Sequence, residues 1–138
     1  MNRFPAMLAL VALLALGPRA HGYAFLEEEI GTFTGQTFEG SVLLTDPGGY
    51  MAYTYDKDPK GTSTCTAACA QTWPPILAAE NERPVGNLTI ISRDDGSRQW
   101  AYKGKPLYLY SGDAKPGDMK GRNLGNAWRI IFLSGFDM

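Results

Sequence analysis

The sequence predicts an all-β fold, a small pseudo-duplicated antiparallel sandwich or barrel with one short helical turn near its cysteines. Three observations carry this. Short runs rich in β-branched and aromatic residues are bounded by Asp, Gly and Pro. Two of these runs end alike, in "YTYDKD" at 53–58 and "YLYSGD" at 108–113, both Tyr-x-Tyr-x-x-Asp. Finally, Tyr53 and Tyr108, Tyr55 and Tyr110, Asp58 and Asp113, and Trp73 and Trp128 are each separated by 55 positions, which marks an internal duplication.

Taken in order, strands are expected at Val42–Thr45, Tyr50–Tyr55, Leu88–Ile91, Arg98–Tyr102, Leu107–Tyr110 and Trp128–Leu133. "DPGG" at 46–49, "RDDG" at 93–96 and "YKGKP" at 102–106 suit turns between them. A one- or two-turn helix is expected within Ser63–Thr72, started by Ser63 or Thr64 and stopped before Pro74, and "FLEEEI" is a second, shorter helical candidate. The halves run from about 40 to 77 and from 86 to 133. In this alignment "GSVLLTDPGG" from Gly40 corresponds to "GNLTIISRDDG" from Gly86, with "RQWAYKGKP" as an insertion in the second half.

Period-two geometry puts Met51, Tyr53 and Tyr55 on one strand face, and likewise pairs Tyr108 with Tyr110. Leu107 and Leu109 make the reverse face of the second strand apolar, whereas Ala52 and Thr54 suggest a more exposed back for the first. Buried tyrosines need partners for their hydroxyls, or a path to the rim.

The first 22 residues, "MNRFPAMLALVALLALGPRAHG", have the charge, apolar run and small-residue ending of a secretory signal peptide. The apolar run is shorter than the roughly 20 residues that span a bilayer. Cleavage after Gly22 leaves one β domain, 23–138; cleavage after Ala24 and an uncleaved, anchored form are the alternatives. The mature chain then carries 11 Lys and Arg against 14 Asp and Glu. Its basic residues are scattered, which argues against nucleic acid, and no basic amphipathic stretch points to a membrane surface. Export places Cys65 and Cys69 where a disulfide persists, worth about 2 kcal/mol for so short a loop; two buried free thiols are the alternative.

His21 is the one histidine and lies in the leader, so Ser-His-Asp and Cys-His catalysis and His-based zinc or haem ligation are excluded from the mature chain. Asp58 and Asp113 could meet as paired carboxylates for hydrolysis, but turn aspartates that accept backbone N–H bonds are commoner. Asp56, Asp58 and Gly61 imitate part of a calcium loop, with Lys60 and Ala67 where ligands belong. Asp113 and Asp118 sit in the loop "SGDAKPGDMKGRNLGNAW" beside Lys115, Lys120 and Arg122. Asp56, Asp58, Asp113 and Asp118 are thus the weak metal candidates, and Met51 and Met119 with reduced cysteines would be needed for Cu(I). No metal or other cofactor is assigned. Trp73 before two prolines fits a core cover better than a binding platform.

"GYMAYTYDKDPKGTSTCTAACAQTWPP" and "RDDGSRQWAYKGKPLYLYSGDAKPGD" together resemble the bacterial secreted-repeat proteins, often lipoproteins, with a Tyr-x-(Phe/Trp/Tyr)-x-x-Asp motif. The likeness covers about residues 40 to 130. It falls on Tyr53, Tyr55, Asp58, Cys65, Cys69, Ala70, Trp73, Pro74 and Pro75, then on Asp95, Gly96, Gln99, Trp100, Ala101, Tyr102, Gly104, Pro106, Tyr108, Tyr110 and Asp113. The resemblance implies export and this fold, and no settled activity. Relatives commonly carry glycine between the cysteines, where this chain has "CTAAC". The cysteine that accepts a lipid in many of them is missing, which favours a soluble periplasmic or secreted protein.

The expected function is an exported soluble binding or interaction domain of the bacterial envelope, its ligand and oligomeric state unassigned, with no identifiable catalytic reaction. A metal- or cofactor-associated periplasmic protein linked to redox or stress is the alternative, and a carboxylate-dependent hydrolase a weaker one. Tyr53, Tyr55, Asp58, Trp73, Trp100, Tyr108, Tyr110, Asp113 and Trp128 are the motif residues on which these readings turn.

Overall fold

Asp- and Gly-bearing turns cut the chain into pieces too short to form sheets alone, so pairing between distant pieces decides the architecture. The computed structural model describes residues 30–133; the expected leader, and "FLEEEI" apart from Ile30, lie outside them. The strands are β1 (Thr34–Phe38), β2 (Ser41–Thr45), β3 (Tyr53–Tyr55), β4 (Leu88–Ser92), β5 (Arg98–Tyr102), β6 (Lys105–Pro106) and β7 (Trp128–Ile130). Among the described residues one short helix, α1 (Ala68–Thr72), and a 3-10 turn at Leu124–Asn126 complete the elements. Every strand pair is antiparallel: β1 with β2, β3 with β7, β4 with β5, and β5 with β6. Among the described residues the strands form three small sheets and no closed barrel. The fold is all-β as expected, built from antiparallel sheets.

The two halves exchange their last strands. β7, from the second half, lies along β3 of the first, with Tyr55 opposite Trp128. Reciprocally, residues 74–76 lie along 107–109, through Leu109 N to Pro74 O at 2.7 Å and Ile76 N to Leu107 O at 2.9 Å. Tyr53 and Tyr108 trade both backbone bonds, at 2.8 and 2.9 Å. A local two-fold axis therefore passes between these two tyrosines.

That symmetry corrects the expected alignment upstream. Leu44 N bonds Ile131 O at 3.0 Å and Leu133 N bonds Val42 O at 2.9 Å; Trp100 N to Ile76 O and Ala78 N to Arg98 O, both 2.9 Å, repeat the pattern. Ala52 N to Leu44 O at 3.2 Å is matched by Leu107 N to Trp100 O at 2.9 Å. Thus β5 takes in the second half the place that β2 takes in the first, and β4 corresponds to β1. "RQWAYKGKP" is that strand and its turn, not an insertion. The similarity of "GSVLLT" to "GNLTII" reflects generic strand composition, which carries no register.

The period of two divides β2 between two apolar clusters. Leu44 joins Phe33, Ala52, Leu88, Trp100, Leu107 and Leu133. Leu43 joins Met51, Tyr53, Cys65, Trp73, Tyr108, Trp128 and Ile130. Ala52 and Thr54 are buried, so the first tyrosine strand is covered on both faces, contrary to the expectation of an exposed back; its small residues fill tight space there. Strand β1, "TGQTF", was not expected because its face pattern is nearly all solvent-facing. It is held by its register with β2 and by Thr34 Oγ1 against Thr45 Oγ1 at 2.5 Å. The expected strand Leu107–Tyr110 follows β6 and carries only isolated bridges from Tyr108 to Tyr53 and to Pro75.

Candidate functional site

Alternation along the two tyrosine strands turns Tyr53 and Tyr108 inward beside the local axis, where both are fully buried. Their hydroxyls find partners by crossing it. Tyr53 Oη donates to Asp113 Oδ2 at 2.7 Å, and Tyr108 Oη donates to Asp58 Oδ2 at 2.6 Å. Each motif's first tyrosine is thereby held by the other motif's aspartate. Burial, reinforced by the bond to Asp58, pushes the Tyr108 phenol up to about 12; burial and Asp113 raise Tyr53 as well. Both phenols stay protonated donors over the ordinary pH range.

The remaining oxygens of the two carboxylates fasten loops. Asp58 Oδ1 accepts Thr64 N at 2.8 Å and Thr64 Oγ1 at 2.5 Å; Asp113 Oδ1 accepts Lys120 N at 2.8 Å. The motif ends in matching turns, Asp58 N to Tyr55 O and Asp113 N to Tyr110 O. Of the other two aspartates weighed as metal ligands, Asp56 pairs with Arg129 at 2.9 Å, and Asp118 accepts Ala114 N and Lys115 Nζ. The Lys115 ammonium, foremost by that bond, holds the Asp118 carboxyl below its usual range. Among the described residues no group of three or more His, Cys, Asp or Glu is gathered as a metal site. Met51 and Met119 both pack into the second apolar cluster.

The outer tyrosines and the two tryptophans form a four-ring stack in the order Tyr55, Trp128, Trp73, Tyr110. Their centroids are 4.4, 3.7 and 4.5 Å apart in turn, and the two indoles are parallel to within 3°. Tyr53 and Tyr108 meet Trp73 and Trp128 edge-on at 5.3 and 5.2 Å. Such pairs contribute about 0.5 to 1.5 kcal/mol each beyond area burial. Gly121 admits the stack: a Cβ there would lie 2.7 Å from the Trp73 ring and 3.0 Å from that of Tyr110. Trp100 lies apart, edge-on to Phe33 in the first cluster.

Sequence reasoning missed a buried polar chain that ends on this site. Arg93 is 9% exposed and donates through Nη1 to Ser63 Oγ at 2.7 Å and Gln99 Oε1 at 2.8 Å, and through Nη2 to Cys65 O. Ser63 Oγ lies 2.6 Å from Tyr108 Oη. Since Tyr108 gives its one proton to Asp58, Ser63 is the donor in that pair. The order Arg93, Ser63, Tyr108, Asp58 links a buried cation to a carboxylate through two hydroxyls, which lowers the cost of burying the charge. No spacing in the sequence marks it.

Because Ser63 and Thr64 are committed to Tyr108 and Asp58, neither starts the helix, and α1 begins only at Ala68. Cys65 and Cys69 stand with sulfurs 2.01 Å apart, at disulfide distance. Ala67 between them has φ 53° and ψ −123°, a conformation glycine adopts freely and other residues resist. The "CTAAC" departure thus places an alanine in a glycine's backbone. A second set of residues missed from sequence is Lys103 and Lys105, on one turn, with the distant Arg129, gathered around one pocket.

Comparison with curated proteins and with solved structures finds no match. Among the described residues no helix is long and apolar enough to cross a membrane. A family described as a secreted repeat of unknown function matches the chain twice, over residues 35–77 and 89–131, and the chain belongs to that family of secreted repeats.

Proposed function

We propose that this is an exported, soluble binding or interaction domain of the bacterial envelope, periplasmic or secreted, that works without chemical turnover. What supports this reading is how the shared polar groups are spent. Both oxygens of Asp58 and of Asp113 accept hydrogen bonds from within the domain. Tyr53 and Tyr108 are their buried donors, so the motif supports the fold and offers no free acid, base or nucleophile. Recognition then falls to surfaces that differ between the halves, namely the loops after "DKD" and "SGD" and the pocket between β6 and β7. A native mass spectrum of protein taken from its own compartment, set against the denatured mass, tests the reading. A bare chain supports it. A tightly held metal or cofactor contradicts it in favour of the cofactor-associated alternative.

A further inference from the structure

Cations from separate parts of the chain meet around one hairpin turn. Between β5 and β6 the backbone has φ 50° at Lys103 and 84° at Gly104, the doubly positive pair of a type I′ turn, which favours Asn, Asp or Gly at its first central position. A lysine there runs against local preference, and such departures are expected where function asks for the side chain. Lys60 lies alongside: Gly61 N bonds Gly104 O at 2.7 Å, and a Cβ on Gly104 would touch the Lys60 stem at 3.5 Å.

Beside this turn is a pocket of about 240 Å³. Its buried members are Thr54, Tyr102, Ile130 and Ile131, and its more exposed ones are Lys103, Lys105 and Arg129. Among the described residues no carboxylate lines it. Arg129 is fixed at its far end by Asp56, Asn123 and Asn126, so it backs the pocket with its charge largely answered. Lys103 Nζ sits 5.5 Å from the centre of the Tyr102 ring. Among the described residues neither Lys103 nor Lys105 has a carboxylate at ion-pair distance. The result is an apolar recess edged by two lysines with unspent charge.

We infer that this pocket binds a small free amphiphilic anion, one phosphate or carboxylate group on an apolar body, with the lysines taking the charge and Tyr102, Ile130 and Ile131 taking the body. The inference rests on the reading of the domain as a binding module and names its ligand class. The volume lies just below the roughly 300 to 1,000 Å³ usual for small-molecule sites, so the body is a short chain or single ring. An isolated recess of this size offers no track for a nucleic-acid backbone.

The test is a titration of the full exported chain, ¹⁵N-labelled and in low salt, with hexyl phosphate, hexanoate, hexanol and inorganic phosphate, reading backbone amide shifts. Hexyl phosphate and hexanoate are expected to move Thr54, Lys103, Lys105 and Ile130 together. Hexanol and inorganic phosphate should each bind about tenfold more weakly or worse, since each lacks half of the recognition. The double variant Lys103→Glu, Lys105→Glu should weaken hexyl phosphate by about tenfold or more, with an unchanged thermal midpoint because both lysines are exposed; Lys105→Glu alone serves if the pair unfolds. Silence with all four compounds, shifts centred elsewhere, or binding that survives the lysine changes would overturn the inference. Inorganic phosphate binding as well as hexyl phosphate would also overturn it, as would response to anionic lipid vesicles alone. A silent pocket in a chain of bare native mass leaves the binding reading standing, whereas a retained metal or cofactor defeats that reading whatever the titration gives.

Discussion

The phenol of Tyr53 donates to the carboxylate of Asp113 at 2.7 Å across 60 positions of chain, and the copy of that bond, from Tyr108 to Asp58, runs the other way across the same local axis. The motif is therefore completed between repeats. Each half supplies the acceptor that the other half's buried donor requires, and the direct backbone pairing of Tyr53 with Tyr108 across the axis places them.

Removing one donor should show this directly. Tyr53→Phe or Tyr108→Phe keeps the ring in its cluster but leaves a carboxylate oxygen without its partner. Hydrogen bonds to charged groups contribute about 1.5 to 3 kcal/mol, so each variant should lose stability in that range by urea or thermal unfolding. A loss within error of zero would mean that the crossed bonds hold nothing together.

Alkali should unfold the domain through the same groups. The folded state favours the protonated phenol at both positions, because burial and the neighbouring aspartate raise both from an ordinary 10.0. This contribution is complete below pH 10 and is lost as pH rises through about 12, the Tyr108 value. Unfolding monitored against pH, with phenolate absorbance followed in parallel, should show two tyrosines ionising only as structure is lost. Early ionisation of all phenols in a still-folded domain would contradict the burial argument.

The cysteine turn carries an alanine where the backbone suits glycine. Ala67→Gly should raise stability by about 1 kcal/mol, the relieved left-handed cost less the added freedom of the unfolded chain. A thermal midpoint that falls would show that the turn tolerates alanine without strain.

Gly121→Ala puts a methyl 2.7 Å from the Trp73 ring. Overpacking of this kind costs about 1 to 3 kcal/mol, and the near-ultraviolet circular dichroism of the stacked indoles should change with it. An unaltered spectrum and midpoint would mean that the loop moves aside freely.

Much of the fold was legible because local chemistry agrees with it. Arg98–Tyr102 was bounded correctly, Asp and Gly marked its turns, and the 55-residue spacing of tyrosines, aspartates and tryptophans announced the repeat. The aspartates were expected to fasten loops; Asp58 Oδ1 accepts Thr64 N and Asp113 Oδ1 accepts Lys120 N. What could not be read was which half each side chain serves: only the pairing of Tyr53 with Tyr108 across the local axis brings Asp58 to Tyr108. β1 stayed hidden because an edge strand with polar faces has no apolar period. The contacts joining Arg93, Ser63 and Gln99 were missed since they depend on tertiary placement, as does the meeting of Lys103 and Lys105 with Arg129, which looked like scattered charge in one dimension.

The most direct test of reciprocal locking is a pair of double-mutant cycles. Combining Tyr53→Phe with Asp113→Ala should give a coupling energy of about 1 kcal/mol or more, while Tyr53→Phe with Asp58→Ala, within one motif, should give about zero. Coupling confined to the within-motif pair, or absent from the crossed one, would contradict the account.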